Sequence, residues 1–175
     1  MSDAISAEVK ALIMQLSARD AARREHARAE LIELGGSEVT RALMVELNDP
    51  RSYVRWEAAK CLCAISDPTA AAALAVHLDD DDPDVRWLAA EALAQLGDDG
   101  LTATLTGAIR LATSRDYCRA AHHVFHEYQR RGKRVHLMTS LMQACVGPQP
   151  ALSLPVEAFR ALFQLQGKVP APIAC

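Results

Sequence analysis

The sequence predicts an all-α fold, a stack of short helix pairs, on three observations. Residues 53–67, YVRWEAAKCLCAISD, return as DVRWLAAEALAQLGD at 84–98, a shift of 31 residues. Within each copy the apolar residues fall at i, i+4, i+8 and i+11, one stripe of an α-helix rather than the alternation of a strand. Half of the 175 residues are apolar yet only 5% are aromatic, the composition of a core built from Ala and Leu in closely packed helices.

In chain order, a first helix at about 4–17 carries Ile5, Val9, Leu12, Ile13 and Leu16 on one stripe. It is expected to cap the stack, so 1–17 is the capping segment. Repeats follow over 18–48, 49–80, 81–114 and 115–146. Under the 31-residue shift Ala27, Ala58 and Ala89 coincide, as do Leu31, Leu62 and Leu93, then Leu34, Ile65 and Leu96, and also Arg24, Arg55 and Arg86. In the second half of each unit Leu43, Leu74 and Leu105 align, as do Leu47, Leu78 and Ile109. The fourth unit fits with one inserted residue, through Tyr117, Ala121, Phe125, Tyr128, Leu137 and Leu141. After the longer loop VGPQPALSLP, a final helix at 154–166 offers Leu154, Ala158, Phe159, Leu162 and Leu165 to a fifth half-unit, and 167–175 forms a tail. Asp20, Asp49, Asp67, Asp82 and Asp98 suit helix starts, Pro50, Pro68 and Pro83 suit first turns, and Gly35-Gly36 and Gly97 suit helix ends.

One helix pair cannot hide its apolar face alone, so each copy is a tile stabilised by its neighbours. Ala58 and Ala89 let helices approach closely; a bulky residue at either would overpack the slab by about 1–3 kcal/mol. The stretches DPRSYVRWEAAKCLCAISDP and DPDVRWLAAEALAQLGD resemble the HEAT repeat, especially the short bacterial, PBS-lyase-like kind. The resemblance is closest over 49–109 and extends over 18–48 and 115–166. It implies a right-handed α-solenoid of about five helix pairs with the Val-Arg helix on the inner, concave side. It also implies that Arg55 and Arg86 form a ladder with Asp49, Asp82 or Asp84.

Winding the helix from Val54 at 100° per residue gathers Val54, Ala58, Leu62 and Ile65 on one side and Trp56, Lys60 and Cys63 on the other. The next copy sets Trp87, Glu91 and Ala94 against Val85, Ala89, Leu93 and Leu96. The matching positions are Glu25, Ala29 and Ile32 in the first unit and Arg119, His123 and His126 in the fourth. The inner strip therefore reads Glu25, Trp56 with Lys60, Trp87 with Glu91, and Arg119 with His123 and His126. Indoles on adjacent helices stand about 10 Å apart, and Trp is over-represented among binding hot spots. The expectation is a partner-binding surface made of Trp56, Trp87, Lys60, Glu91, Arg119, His123 and His126, gripping a protein segment. Two structural roles compete: the rings lie flat over the Ala-rich helix surface, or the tail KVPAPIAC folds back onto them.

Net charge of −3 and a pI of about 6.1 give no general attraction to nucleic acid or anionic membranes. The five cysteines have neither disulfide-framework nor zinc spacing and read as reduced core fillers. No apolar run reaches the length of a signal peptide or of a membrane span, so a cytoplasmic location is expected. HHVFHE at 122–127 puts His122 and His126 at i, i+4, a spacing that can bind metal, yet one helix supplies only two ligands. No cofactor and no metal are expected.

Deoxyhypusine hydroxylases are similar repeat proteins with His-Glu after Val-Arg at their iron ligands; here those places are Trp56-Glu57 and Trp87-Leu88, so that activity is not expected. Phycobilin lyases resemble the repeat alone. Repeat-built DNA glycosylases use a basic groove, which Glu25, Glu91 and DDDDPD at 79–84 oppose. QRRGKRVH at 129–136 is mildly basic and suits a helix C-terminus. The function expected is a non-catalytic adaptor, chaperone or assembly factor. The alternatives are an accessory subunit or lyase-like modifying enzyme, using His122, His123 and His126, and a nucleic-acid binder.

Overall fold

The computed structural model describes residues 5–132 and 134–167. Cys175, Lys133 and the tail KVPAPIAC, considered above as a cover for the indoles, lie outside the described residues. Among the described residues there is no strand. The helices are α1 (Ala7–Leu16), α2 (Ala21–Leu34), α3 (Gly36–Glu46), α4 (Ser52–Ile65), α5 (Ala71–Val76), α6 (Pro83–Gln95), α7 (Asp98–Leu111), α8 (Arg115–Arg130), α9 (Val135–Val146) and α10 (Pro150–Leu165). Short 3₁₀ turns at Pro68–Ala70 and His77–Asp79 flank α5.

The helices form an α-solenoid in two layers. In the first, α2, α4, α6 and α8 pack side by side in chain order; in the second, α5 packs beside α7, and the turn before α5 touches α3. The core lies between the layers, where Ala27, Leu31, Ala58, Leu62, Ala89, Leu93, Ala121 and Phe125 are buried. Small residues set the spacing. Gly100 of α7 lies so close to α6 that a Cβ there would overlap the Leu93 carbonyl. Gly107 leaves room for the Tyr117 ring, whose hydroxyl donates to the Thr104 carbonyl at 2.6 Å.

The helix boundaries follow local chemistry. Asp20, Asp67 and Asp82 cap through bonds from the Ala22, Thr69 and Asp84 N–H groups. Asp49 does not: α4 opens two residues later, with Arg51 at the cap position, and Asp49 instead takes the Arg51 N–H and guanidinium. Asp98 is the first residue of α7 rather than its cap, which is Gly97 in the left-handed region at φ 63°.

Three expected core positions are displaced, among them Leu34, which is exposed at the end of α2. Ile109 does not match Leu78: it is exposed, and Ala108 and Ala112 fill the slab instead. The second unit breaks its outer helix into 3₁₀ and α pieces, whereas α7 is continuous, so the later residues rotate by different amounts. Phe159 also leaves the core. The final helix does not extend the first layer; α10 packs on α7 and α9 and buries Leu154, Ala158 and Ala161, with Phe159 on its outer side.

Candidate functional site

The layer of α2, α4, α6 and α8 is tied together by its arginines. Arg24 donates to the Ala18 and Arg19 carbonyls, Arg55 to those of Asp49 and Pro50, and Arg86 to those of Asp80 and Asp81. Each guanidinium thus reaches the backbone six and five residues earlier and ties down its own helix entry. In the fourth unit Cys118 takes the arginine's place, and its thiol points at the Ala112 carbonyl, 3.5 Å away.

The acidic partners differ from the expected Asp49, Asp82 and Asp84. Arg55 makes two bonds to Asp80 at 2.9 and 2.8 Å and pairs with Asp81. Arg86 reaches Asp116 at 3.8 Å and Arg24 reaches Glu57 at 3.3 Å. The reason is local: Asp82 is spent on capping α6 and Asp49 on Arg51. Asp80 is buried, with His77 Nδ1 at 2.9 Å and the Asp82 N–H donating to it. Burial works against its ionisation, but Arg55, the Asp82 N–H and His77 outweigh that and hold its carboxyl down at about 2.

The opposite edge of these helices carries the predicted wall, where Trp56 and Trp87 differ. Trp56 is half-buried against the core. Lys60 Nζ stands 4.4 Å from its ring centroid and the Arg28 guanidinium 5.8 Å, both within cation–π range. Arg28 is held in turn by the buried Glu57, which also takes Arg24. Trp87, one helix further on, is 56% exposed.

The remaining predicted residues divide into pairs. Glu91 and His123 meet across α6 and α8, with 2.6 Å between Glu91 Oε1 and His123 Nε2. Arg119 is exposed and pairs with Asp116 of its own helix at 3.6 Å. His126 is exposed, its Nδ1 3.7 Å from Glu127. The structure therefore joins Trp56 with Lys60 and Glu91 with His123; Arg119 and His126 find their charged neighbours on α8 itself.

Residues outside the predicted set also build this wall. Arg28 and Glu57 organise the Trp56 end. At the α8 end, Arg130 binds Glu127 at 2.7 Å, and Arg131 donates to the Ala94 carbonyl at 2.6 Å. The Arg130 bond keeps the Glu127 carboxyl below the ordinary range. One signal for Glu57 was present in the sequence: it stands where the next copy has Leu88, an acid at a position that points inward.

Among the described residues no three His, Cys, Asp or Glu side chains gather where they could hold a metal ion. Burial, reinforced by His126 and His123, keeps His122 below the ordinary imidazole range. Cys61, Cys63, Cys118 and Cys145 are free, and burial raises all four thiols, Cys61 and Cys145 to about 12. A thiol so raised is a poor nucleophile at neutral pH. No helix among the described residues is long and apolar enough to cross a membrane.

The family model for HEAT repeats matches residues 9–81 and 40–123. A crystal structure described as that of an engineered protein is similar at 21% identity, covering 93% of this chain and 90% of that one, with a TM-score of 0.41. Comparison with curated proteins gives no match.

Proposed function

The chain belongs to the HEAT-repeat family, and from that premise we propose that it is a non-catalytic binding module that engages a protein segment along the α4–α6–α8 wall, with Trp87 as the principal anchor. HEAT repeats are generally protein-interaction scaffolds, and the family is typically non-catalytic. The observation that carries the reading is the exposure of Trp87: a large indole is left 56% open beside a neighbour of the same kind that is already covered. Covering an indole contributes strongly to association, and such residues dominate many interfaces.

The flanking groups favour a partner segment with both charges. Lys60 and Arg119 offer cations; Glu91, bound to His123, offers a carboxylate. Trp56 plays a smaller part, since part of its surface already meets Arg28 and Lys60. An adaptor, chaperone or assembly-factor role in the cytoplasm is the biological form this takes.

Affinity purification from the native host, with wild type and Trp87→Ala in parallel and read by quantitative mass spectrometry, tests it. Loss of specific partners with an unchanged melting temperature supports the reading. Retention of every partner contradicts it.

A further inference from the structure

The outward face of α8 carries one kind of charge. Wound at 100° per residue, Arg115, His126, Arg119 and Arg130 fall within a sector of about 60°, and all four are exposed. His122 and His123 flank that sector, both half-buried. Two of the cations are held by acids of their own helix: Arg119 lies 3.6 Å from Asp116, and Arg130 binds the buried Glu127 at 2.7 Å. Arg115 has no acidic partner among the described residues. At its N-terminal end the face opens into a cleft of about 410 Å³, lined by Ser114, Arg115 and Arg119 together with Gly147, Pro148 and Pro150 of the α9–α10 connection. The adjacent helix is different: the exposed side of α6 carries Asp84, Trp87 and Gln95, with Glu91 half-buried beside them.

We propose that this face of α8 binds an acidic peptide segment, with one of its carboxylates held in the cleft by Arg115 and Arg119. A guanidinium meets a carboxylate through two parallel N–H bonds, and residues four apart on a helix lie on one face, one above the other. The inference rests on the reading of α4, α6 and α8 as a binding wall, and names the chemistry of the segment that crosses its α8 end. Charge complementarity selects a peptide over a nucleic acid. A nucleic acid presents an unbroken line of phosphates, which Asp84 and Glu91 on the next helix would repel. A peptide places its acids over α8 and an uncharged or basic residue over Trp87 and Glu91. With a net charge of −3, the chain as a whole does not attract acids, so the selection belongs to this local face. Exposed ion pairs are individually weak and screened by salt, so the affinity falls as salt rises.

Fluorescence anisotropy of the full chain with a short labelled peptide of alternating Glu and Ala, at low ionic strength, tests this. The wild type should bind the peptide saturably and should not bind the same peptide with Lys in place of Glu. A chain carrying both Arg115→Gln and Arg119→Gln should bind about 10-fold more weakly, with unchanged helical circular dichroism. Arg110→Gln, which removes an exposed arginine from α7 in the other layer, should leave the affinity unchanged. Labelled oligothymidylate is the competing probe. Absence of saturable peptide binding, an undiminished affinity in the double variant, an equal loss in Arg110→Gln, or oligothymidylate held more tightly than the peptide overturns the proposal. The probe has no residue for Trp87 to hold, so this result and the purification with Trp87→Ala can each fail alone.

Discussion

The second and third units carry the same Val-Arg-Trp, yet both edges are more closed in the second than in the third. In the second, Arg55 is buried with Asp80 and His77, and Trp56 lies between Arg28 and Lys60. In the third, Arg86 reaches Asp116 only at 3.8 Å and Trp87 is left to solvent. The neighbours explain it. The residue preceding Trp56 across the layer is Arg28, whereas its counterpart before Trp87 is Ala59, which is buried and too short to cover a ring. Glu57, which holds Arg28, becomes Leu88, and Lys60 becomes Glu91. A repeat fixes where a side chain points; the residues one tile away decide whether it is used up by the fold or left for a partner.

The largest contrast is expected between the arginines. Arg55→Ala strands a buried carboxylate and should cost about 3–5 kcal/mol, while Arg86→Ala, with a longer and more exposed pair, should cost about 1 kcal/mol. Urea unfolding of the two variants measures this, and equal losses would erase the distinction. Among the indoles, Trp56→Ala should lose about 2 kcal/mol through partial burial and its cations, and Trp87→Ala no more than about 0.5 kcal/mol.

Acid sharpens the same contrast. Asp80 is held at about 2 in the folded chain, below the roughly 3.9 of an unfolded Asp. Its contribution is present in full above that unfolded value and disappears as pH falls through about 2. Asp80→Asn should therefore lower stability at neutral pH and flatten the pH dependence between about 4 and 2. An unchanged slope there would show that Asp80 is not the group that titrates. Lys60→Ala should cost about 0.5–1 kcal/mol through its lost contact with the Trp56 ring.

The fold was legible because register is a local property. The recurrence at Ala27, Ala58 and Ala89 and at Leu31, Leu62 and Leu93 located the slab, and all six residues are buried. The site was legible in part. Helical winding put Lys60, Trp87, Glu91 and His123 on one edge, because that depends on angle alone; it grouped Glu91 with Trp87 and did not foresee the bond to His123. Winding one helix at a time could not show that Arg28 of α2 reaches Trp56, nor that Asp80 takes Arg55 from Asp82, since each is decided by contacts between elements. It also could not show that α10 turns onto α7, which sends Phe159 outward; only packing at the end of the stack fixes that.

The most direct test of the central claim sets one loss against another. For a partner recovered with the wild-type chain, affinity is measured by titration calorimetry alongside the melting temperature of each variant. The account predicts that Trp87→Ala weakens binding by at least about 30-fold, roughly 2 kcal/mol, at an unchanged melting temperature, while Trp56→Ala mainly lowers the melting temperature. Undiminished affinity in Trp87→Ala would contradict it.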